Sequence, residues 1–120
     1  MNLTVLIERI KKHPNYNNVG MILCHNGVVR GTSRNGRKVS GLKIAVDHAK
    51  LKKIVEENKK MPGIIEILVE IAEGRDLLVG EDVMFLVVAG DIRDNVIKSL
   101  NDTLNAIKTS VTQKTEYFTE

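Results

Sequence analysis

The residues best suited to chemistry in this chain are basic, and they are densest in the stretch VGMILCHNGVVRGTSRNGRKV, residues 19–39. Val28 and Val29 precede Arg30, and two β-branched residues in this position are typical of a strand end. The polar loop that follows carries three further cations, at Arg34, Arg37 and Lys38. A planar guanidinium at a rigid strand end can bind two oxygens of a phosphate or carboxylate at once. On spacing alone, a hairpin whose loop is basic only for solubility is the favoured alternative.

A second group of cations belongs to the C-terminal third of the chain. Arg93 follows the apolar run VMFLVVA, at the predicted N-terminal end of the last helix, where backbone N–H groups already favour anions. Its alternative role is an exposed ion pair with Asp91 or Asp94. Lys108 lies near the end of that helix, and its alternative role is a favourable interaction with the helix dipole. Lys114 lies in the tail beyond the helix, and its alternative is a solvated side chain without a role in a site.

The charge and the content of aromatic, cysteine and histidine residues argue against several classes of function. The net charge of +3 favours anionic partners, but aromatic residues make up only 3% of the chain, so no platform for stacking bases is apparent and nucleic-acid binding is not predicted. The single cysteine, Cys24, excludes an internal disulfide and argues against a cysteine zinc site. His13, His25 and His48 fit no metal-ligand spacing and are interpreted as structural or exposed. No metal and no cofactor is therefore predicted.

Several common signatures are missing from the sequence. No phosphate-binding loop of the Walker or dinucleotide type, no serine elbow and no carboxylate pair suited to acid–base work is present. There is no apolar segment of a secretory signal, and no apolar run approaches 18 residues, so no membrane association and a cytoplasmic location are expected.

The hydrophobic pattern predicts one α+β domain over residues 1–120, with helices packed on a mixed or antiparallel sheet. The strand at residues 39–46 is predicted to pair back on the first strand, and the strand at residues 83–89 to be central and covered on both faces. The segment 1–18 is predicted to be an N-terminal helix and turn, and the tail 111–120 to fray or to order only against a partner. The predicted elements are a helix at 3–12, strands at 19–30 and 39–46, a helix at 48–60 capped by Asp47, strands at 64–71, 77–79 and 83–89, and a helix from Asp91 or Asp94 to about residue 110.

Taken together, the order of these elements and several short motifs resemble the large, catalytic subunit of molybdopterin synthase, the MoaE family. The resemblance extends from Val19 to about Lys114. It depends on the strand end GVVR at residues 27–30, the helix LKKIVEENKK, the turn VGED, the strand and helix start VMFLVVAGDIRDNV, and the amphipathic last helix with a lysine-bearing segment after it.

The resemblance implies a fold and an activity. Members of the family have an α/β-hammerhead-like fold and form homodimers, within a heterotetramer that includes a small ubiquitin-like sulfur carrier. The carrier's C-terminal thiocarboxylate enters a pocket of the large subunit, and sulfur is transferred to cyclic pyranopterin monophosphate. By residue, Arg30 matches the family arginine at the strand end and Arg93 that of a His-Arg pair, both binding substrate phosphate. Lys114 is the candidate for the catalytic lysine. Separately from the resemblance, Arg37, Lys38 and Lys108 are accessory candidates because of their charge and their places in the loop and near the helix end.

The sequence also departs from the family pattern. Ile92 stands where the family has the histidine of the His-Arg pair, and an apolar side chain can neither donate nor accept a proton. Thr112 and Gln113 precede Lys114 in place of a Pro-aromatic-Trp segment, a second family lysine has no counterpart, and residues 43–47 replace a Tyr-rich stretch. Two hypotheses therefore remain: a sulfurtransferase subunit, and a non-catalytic relative that binds a ubiquitin-like carrier or another anionic ligand without turnover.

Overall fold

The computed structural model describes residues 1–119, which form three helices and six strands, with a 3-10 turn after α1 and a π-helical turn after α3. The helices are α1 (Leu3–Lys11), α2 (His48–Asn58) and α3 (Arg93–Ala106), and the two turns are Tyr16–Asn18 and Ile107–Val111. The strands are β1 (Met21–Val28), β2 (Val39–Val46), β3 (Ile64–Ile71), β4 (Asp76–Leu78), β5 (Asp82–Gly90) and β6 (Thr112–Phe118).

Side-chain caps begin the first two helices. The Asn2 side chain accepts hydrogen bonds from the N–H groups of Thr4 and Val5, and Asp47 accepts one from Lys50 at 3.1 Å. Both satisfy donors that a helix N-terminus leaves without a partner, and the Asp47 cap is the one that the sequence predicts.

The first sheet has the order β1-β5-β3 and is antiparallel throughout. Its middle strand, β5, is apolar on both faces because helices cover both. Helix α1 packs Leu6 and Ile10 against Phe85 and Val87 on one face, whereas α2 and α3 cover Leu86 and its neighbours on the other. The prediction of a central strand buried on both faces is confirmed.

The second sheet has the order β4-β2-β6 and packs against one end of the first. Leu42 and Ile44 of β2 and Leu77 of β4 form a buried cluster with Val29 and Ala72, which follow β1 and β3. This cluster fixes the position of the second sheet at the end of β1 where Arg30 lies.

The predicted pairing of β2 with β1 is wrong. Strand β1 pairs with β5 and strand β2 pairs with β4 and β6, so the two predicted hairpin partners belong to different sheets. Between them, the loop 31–38 contains an isolated antiparallel bridge between Thr32 and Lys38. Val39 N also donates to the carbonyl of Gly31 at 3.0 Å, and Ser33 N to that of Arg37 at 2.9 Å. The fold class remains α+β, with antiparallel sheets rather than a mixed one.

The segment after α3 also differs from the prediction of a tail that frays or needs a partner. Residues 112–118 form β6, which pairs antiparallel with β2 along its length, whereas Glu120 lies outside the described residues. The chain leaves the helix and enters β6 through the π-helical turn, where side-chain hydroxyls bond to backbone carbonyls. Thr109 Oγ1 donates to the carbonyl of Asn105 and Ser110 Oγ to that of Ala106, and such bonds compete with the helix ladder.

Candidate active site

A cavity of about 500 Å³ lies where the two sheets meet. Its floor is apolar and its rim is cationic, since four Lys or Arg side chains but, among residues 1–119, only one carboxylate line it. The apolar lining comprises Val28, Leu42, Ile44, Ile71, Val83, Met84 and Ile107, and the polar lining His25, Gly27, Arg30, Thr32, Ser33, Arg34, Lys108, Thr112, Lys114 and Glu116. A phosphate held by the rim and an uncharged ring system on the floor would suit this distribution.

Arg30 emerges at the end of β1 and is fixed by its own loop. Its Nε donates to the carbonyl of Thr32 at 2.8 Å, which is the sole hydrogen bond of the guanidinium among residues 1–119. The two terminal nitrogens therefore remain available to a ligand. Arg34 approaches the same cavity from the loop, which turns at Gly36 with φ +86°.

Lys114 lies on β6, opposite Ile44 of β2, and both line the cavity. Its Nζ is 3.8 Å from Glu116 Oε1, and 52% of its side chain is exposed. Residues 112, 114 and 116 alternate onto the cavity face of β6, so this strand forms one wall of the site.

His25 and Lys108 line the wall formed by β1 and the π-helical turn. Burial, and secondarily the charge of Lys108, lowers the pKa of His25 from its ordinary value, so the imidazole is neutral at pH 7. At Gly27 an added Cβ would lie 3.3 Å from His25 Nε2, which places the ring edge over the bare backbone of Gly27.

Arg93 does not join this cavity within one chain. It is exposed at the start of α3, just after the end of β5, and that end of β5 pairs with Met21 at the start of β1. Arg30 lies beyond the other end of β1. Eight strand residues at about 3.3 Å each separate the two arginines by roughly 25 Å. Within residues 1–119, Arg93 forms no ion pair with Asp91 or Asp94, and the Asp91 carboxylate accepts from Ile92 N and Asn95 Nδ2.

Arg37 and Lys38 are likewise not part of the cavity lining. The Arg37 guanidinium lies 3.7 Å from the centre of the Phe118 ring, a cation–π contact that joins the loop to β6. The carbonyl of Lys38 accepts from Thr119 N at 3.1 Å. Both residues therefore hold the loop against β6 rather than line the site.

Three titratable lining residues, His25, Arg34 and Glu116, are not among the site residues predicted from the sequence. The sequence indicates Arg34 as a loop cation and His25 as a structural or exposed residue. It places Glu116 in a tail predicted to fray or to order only against a partner. A signal for His25 was present in the sequence, since it lies on the same face of β1 as Met21 and Leu23, just before the Arg30 strand end.

Known proteins share both the sequence pattern and the fold of this chain. The family model described as MoaE protein matches residues 2–110, and the chain belongs to the MoaE family. The match ends before β6, so Lys114 lies outside it. No curated protein sequence was found to match the chain.

Solved structures share the fold. Molybdopterin synthase from Staphylococcus aureus aligns with a TM-score of 0.73 at 22% identity, over 86% of this chain and 77% of that one. A complex of subunits 1 and 2 of molybdopterin-converting factor from Helicobacter pylori aligns with a TM-score of 0.71 at 19% identity, over 100% and 85%. Molybdopterin cofactor biosynthesis protein E from Burkholderia multivorans gives 0.76 at 18% identity, over 99% and 86%.

The α+β fold predicted from the sequence is thus that of MoaE structures, and family membership supports a role in molybdenum cofactor biosynthesis. Among residues 1–119, no helix is both long and apolar enough to cross a membrane.

Proposed function

We propose that this protein is the large subunit of a molybdopterin synthase, and that it transfers sulfur from a thiocarboxylated ubiquitin-like carrier to cyclic pyranopterin monophosphate. The observation that carries the proposal is the cavity between the sheets, in which a cationic rim surrounds an apolar floor. The chemistry needs both parts, because the substrate joins a phosphate to a ring system and the carrier presents an anionic thiocarboxylate.

Within this proposal the cations have separate tasks. Arg30 binds the substrate phosphate with the two terminal nitrogens that Thr32 leaves available. Lys114, across the cavity on β6, acts at the reacting acyl group, where an ammonium stabilises the negative charge that develops on oxygen. Lys108 contributes a further positive charge from the wall beside His25.

Arg93 has a place in the proposal only if the protein is a dimer. It is too far from the cavity of its own chain, but it is exposed at a helix N-terminus and free of ion pairs among the described residues. In a symmetric homodimer a residue at one end of the first sheet can reach the partner's cavity at the other end. We therefore assign Arg93 to the phosphate site of the second copy.

The proposal that a small carrier subunit binds this chain is supported by a solved structure rather than by the cavity. The Helicobacter pylori structure that shares this fold is a complex of two different subunits of molybdopterin-converting factor. A carrier docked at the mouth of the cavity could extend its C-terminal thiocarboxylate between Lys114 and Arg30.

The proposal is tested by reconstitution. The purified chain is mixed with a thiocarboxylated carrier and cyclic pyranopterin monophosphate, and molybdopterin is detected as its fluorescent oxidised derivative. We expect product from the wild type and a loss of roughly 100-fold or more for Lys114→Ala, a typical cost of removing a group that stabilises an oxyanion. Lys53→Ala is the matched control, since Lys53 is exposed on α2 and lines no cavity. Equal rates for the two variants would contradict the role of Lys114.

A non-catalytic relative is the second candidate function. It is favoured by Ile92, which lies beside Arg93 and is 57% exposed, and by the end of the family match before Lys114. Such a protein would bind the carrier, with an affinity that Lys114→Ala leaves largely unchanged, and would yield no product in the same assay.

A further inference from the structure

His25 differs from the other two histidines in its surroundings. His13 Nε2 lies 3.8 Å from Glu66 and His48 Nε2 lies 2.8 Å from Glu73, so each faces a carboxylate away from the cavity. His25 lines the cavity, and among residues 1–119 no carboxylate lies within ion-pairing distance of it. A half-buried imidazole without an acidic partner has no evident structural task.

The orientation of the ring depends on Gly27. Residues 25 and 27 lie on the same face of β1, and the imidazole leans along the strand so that Nε2 lies over the position where Gly27 has no side chain. Both residues line the cavity. The absence of a Cβ at residue 27 thus leaves room for Nε2 beside the cavity, where a water or a ligand atom can approach it.

The charges around His25 keep the imidazole neutral. The titratable groups that line the same cavity are Arg30 and Arg34 from the strand end and loop, Lys108 from the π-helical turn, and Lys114 and Glu116 from β6. Four of these five are cations, and a cationic setting opposes protonation of a neighbouring imidazole. Burial acts in the same direction on the pKa of His25. A neutral imidazole is the form that can accept a proton.

We propose that His25 is the proton-transfer residue of this site, acting as general base on the water that releases sulfur from the carrier. The inference rests on the proposed function.

Once the thiocarboxylate sulfur has bonded to the pterin, carrier and pterin are joined by a thioester, R–CO–S–R′. His25 takes a proton from water as the water oxygen bonds to the acyl carbon, and the C–S bond breaks with its electron pair going to sulfur. The imidazolium then returns the proton, which gives R–COOH and HS–R′.

The test is a single-turnover reaction of the whole chain with thiocarboxylated carrier and cyclic pyranopterin monophosphate, followed over a range of pH. For His25→Gln we expect product formation to fall by about 10²–10⁴-fold, the usual contribution of a general base. We also expect the carrier–pterin thioester to accumulate, detected by mass spectrometry, and the increase of rate with pH that accompanies deprotonation of the imidazole to disappear.

Two further variants separate this role from a structural one. Gly27→Ala keeps the imidazole but places a methyl group 3.3 Å from Nε2, so it should slow hydrolysis of the thioester less than His25→Gln does. His48→Gln, at an exposed histidine outside the cavity, should match the wild type. Circular dichroism establishes that each variant is folded.

The outcomes are distinct. A His25→Gln chain within threefold of the wild type, or one that is slow but accumulates no thioester and keeps the wild-type pH profile, would overturn the assignment while the proposed function stands. A wild-type chain that forms no product would overturn the proposed function, and the role of His25 with it.

Discussion

At the scale of single residues, the site depends on how each cation is held. Within the described residues 1–119, the Arg30 guanidinium is oriented by one hydrogen bond to a backbone carbonyl, whereas the nearest ion-pair partner of the Lys114 ammonium is a carboxylate 3.8 Å away. A guanidinium held in one orientation suits the binding of two phosphate oxygens, and a flexible lysine ammonium suits a group whose charge changes during the reaction. The proposed division of tasks between phosphate binding and chemistry rests on these local contacts.

The role of Arg30 in binding can be tested through the concentration dependence of the rate. Loss of charged hydrogen bonds worth about 1.5–3 kcal/mol predicts that Arg30→Ala raises KM for cyclic pyranopterin monophosphate by roughly 10–150-fold. Arg30→Lys should reverse only part of this increase in KM, since lysine has neither the planar guanidinium nor the Nε donor. Arg9→Ala is the control, because Arg9 belongs to α1 on the other face of the first sheet. An unchanged KM in Arg30→Ala would place the phosphate elsewhere.

The sequence identified the cations but not their grouping. Arg30, Lys108 and Lys114 do meet at one cavity, although they come from a strand end, a helical turn and a second sheet. Arg37 was assigned to the site on the basis of charge, yet it lies over Phe118, because which side of a loop a residue occupies depends on contacts distant in sequence. Spacing alone contains no information on such contacts.

At the scale of elements, the second sheet positions the Lys114 wall. Its shortest strand, β4, has three residues, of which Leu77 is fully buried in the cluster between the sheets and Leu78 is 68% exposed. Strand alternation therefore makes two adjacent leucines very different in their contribution to stability.

This contrast gives a paired prediction for stability. Leu77→Ala should lower the free energy of unfolding by about 2–5 kcal/mol, the range for truncating a buried leucine. Leu78→Ala should change it by about 0.5 kcal/mol or less, as is usual for an exposed position. Urea denaturation followed by circular dichroism measures both. Similar losses for the two variants would show that the second sheet is not packed on the first as described.

Two errors in the predicted elements have physical causes. Neighbouring strands in sequence usually pair, which favoured β1 with β2, but the apolar residues of β1 are buried only beside β5 under the helices. The segment TQKTEYF contains β-favouring Thr, Tyr and Phe residues, but its polarity favours the prediction of a tail that frays or orders only against a partner. An edge strand with one face toward solvent is expected to be polar, so composition could not distinguish the two.

At the scale of the whole molecule, burial of His25 links folding to pH. The pKa of His25 is lowered in the native protein, first by burial and then by Lys108, whereas the unfolded chain titrates near the ordinary value of about 6.5. Between the lowered native pKa and that value, the unfolded chain binds a proton that the native chain does not. Stability therefore increases with pH across this window and is lost as the pH falls through it.

His25→Gln removes this contribution. Urea unfolding between about pH 5 and pH 7 should show a smaller increase of stability with pH for the variant than for the wild type. Identical pH dependence in the two proteins would mean that the imidazole is as solvated in the native state as in the unfolded one.

The distance between Arg30 and Arg93 provides the most direct test of the site as a whole. The account requires each cavity to combine Arg30 of one copy with Arg93 of the other, because the two lie at opposite ends of the first sheet in a single chain. Arg30→Ala and Arg93→Ala homodimers should both be strongly impaired. A mixed dimer of the two, isolated through different tags, contains one cavity with both arginines and one with neither.

The measurement is molybdopterin formation by that mixed dimer in the reconstituted assay. We expect about half the activity of the wild-type dimer, since one of the two symmetric sites of the mixed dimer is intact. A mixed dimer no more active than the two impaired homodimers would contradict the shared cavity and the placement of Arg93 in it.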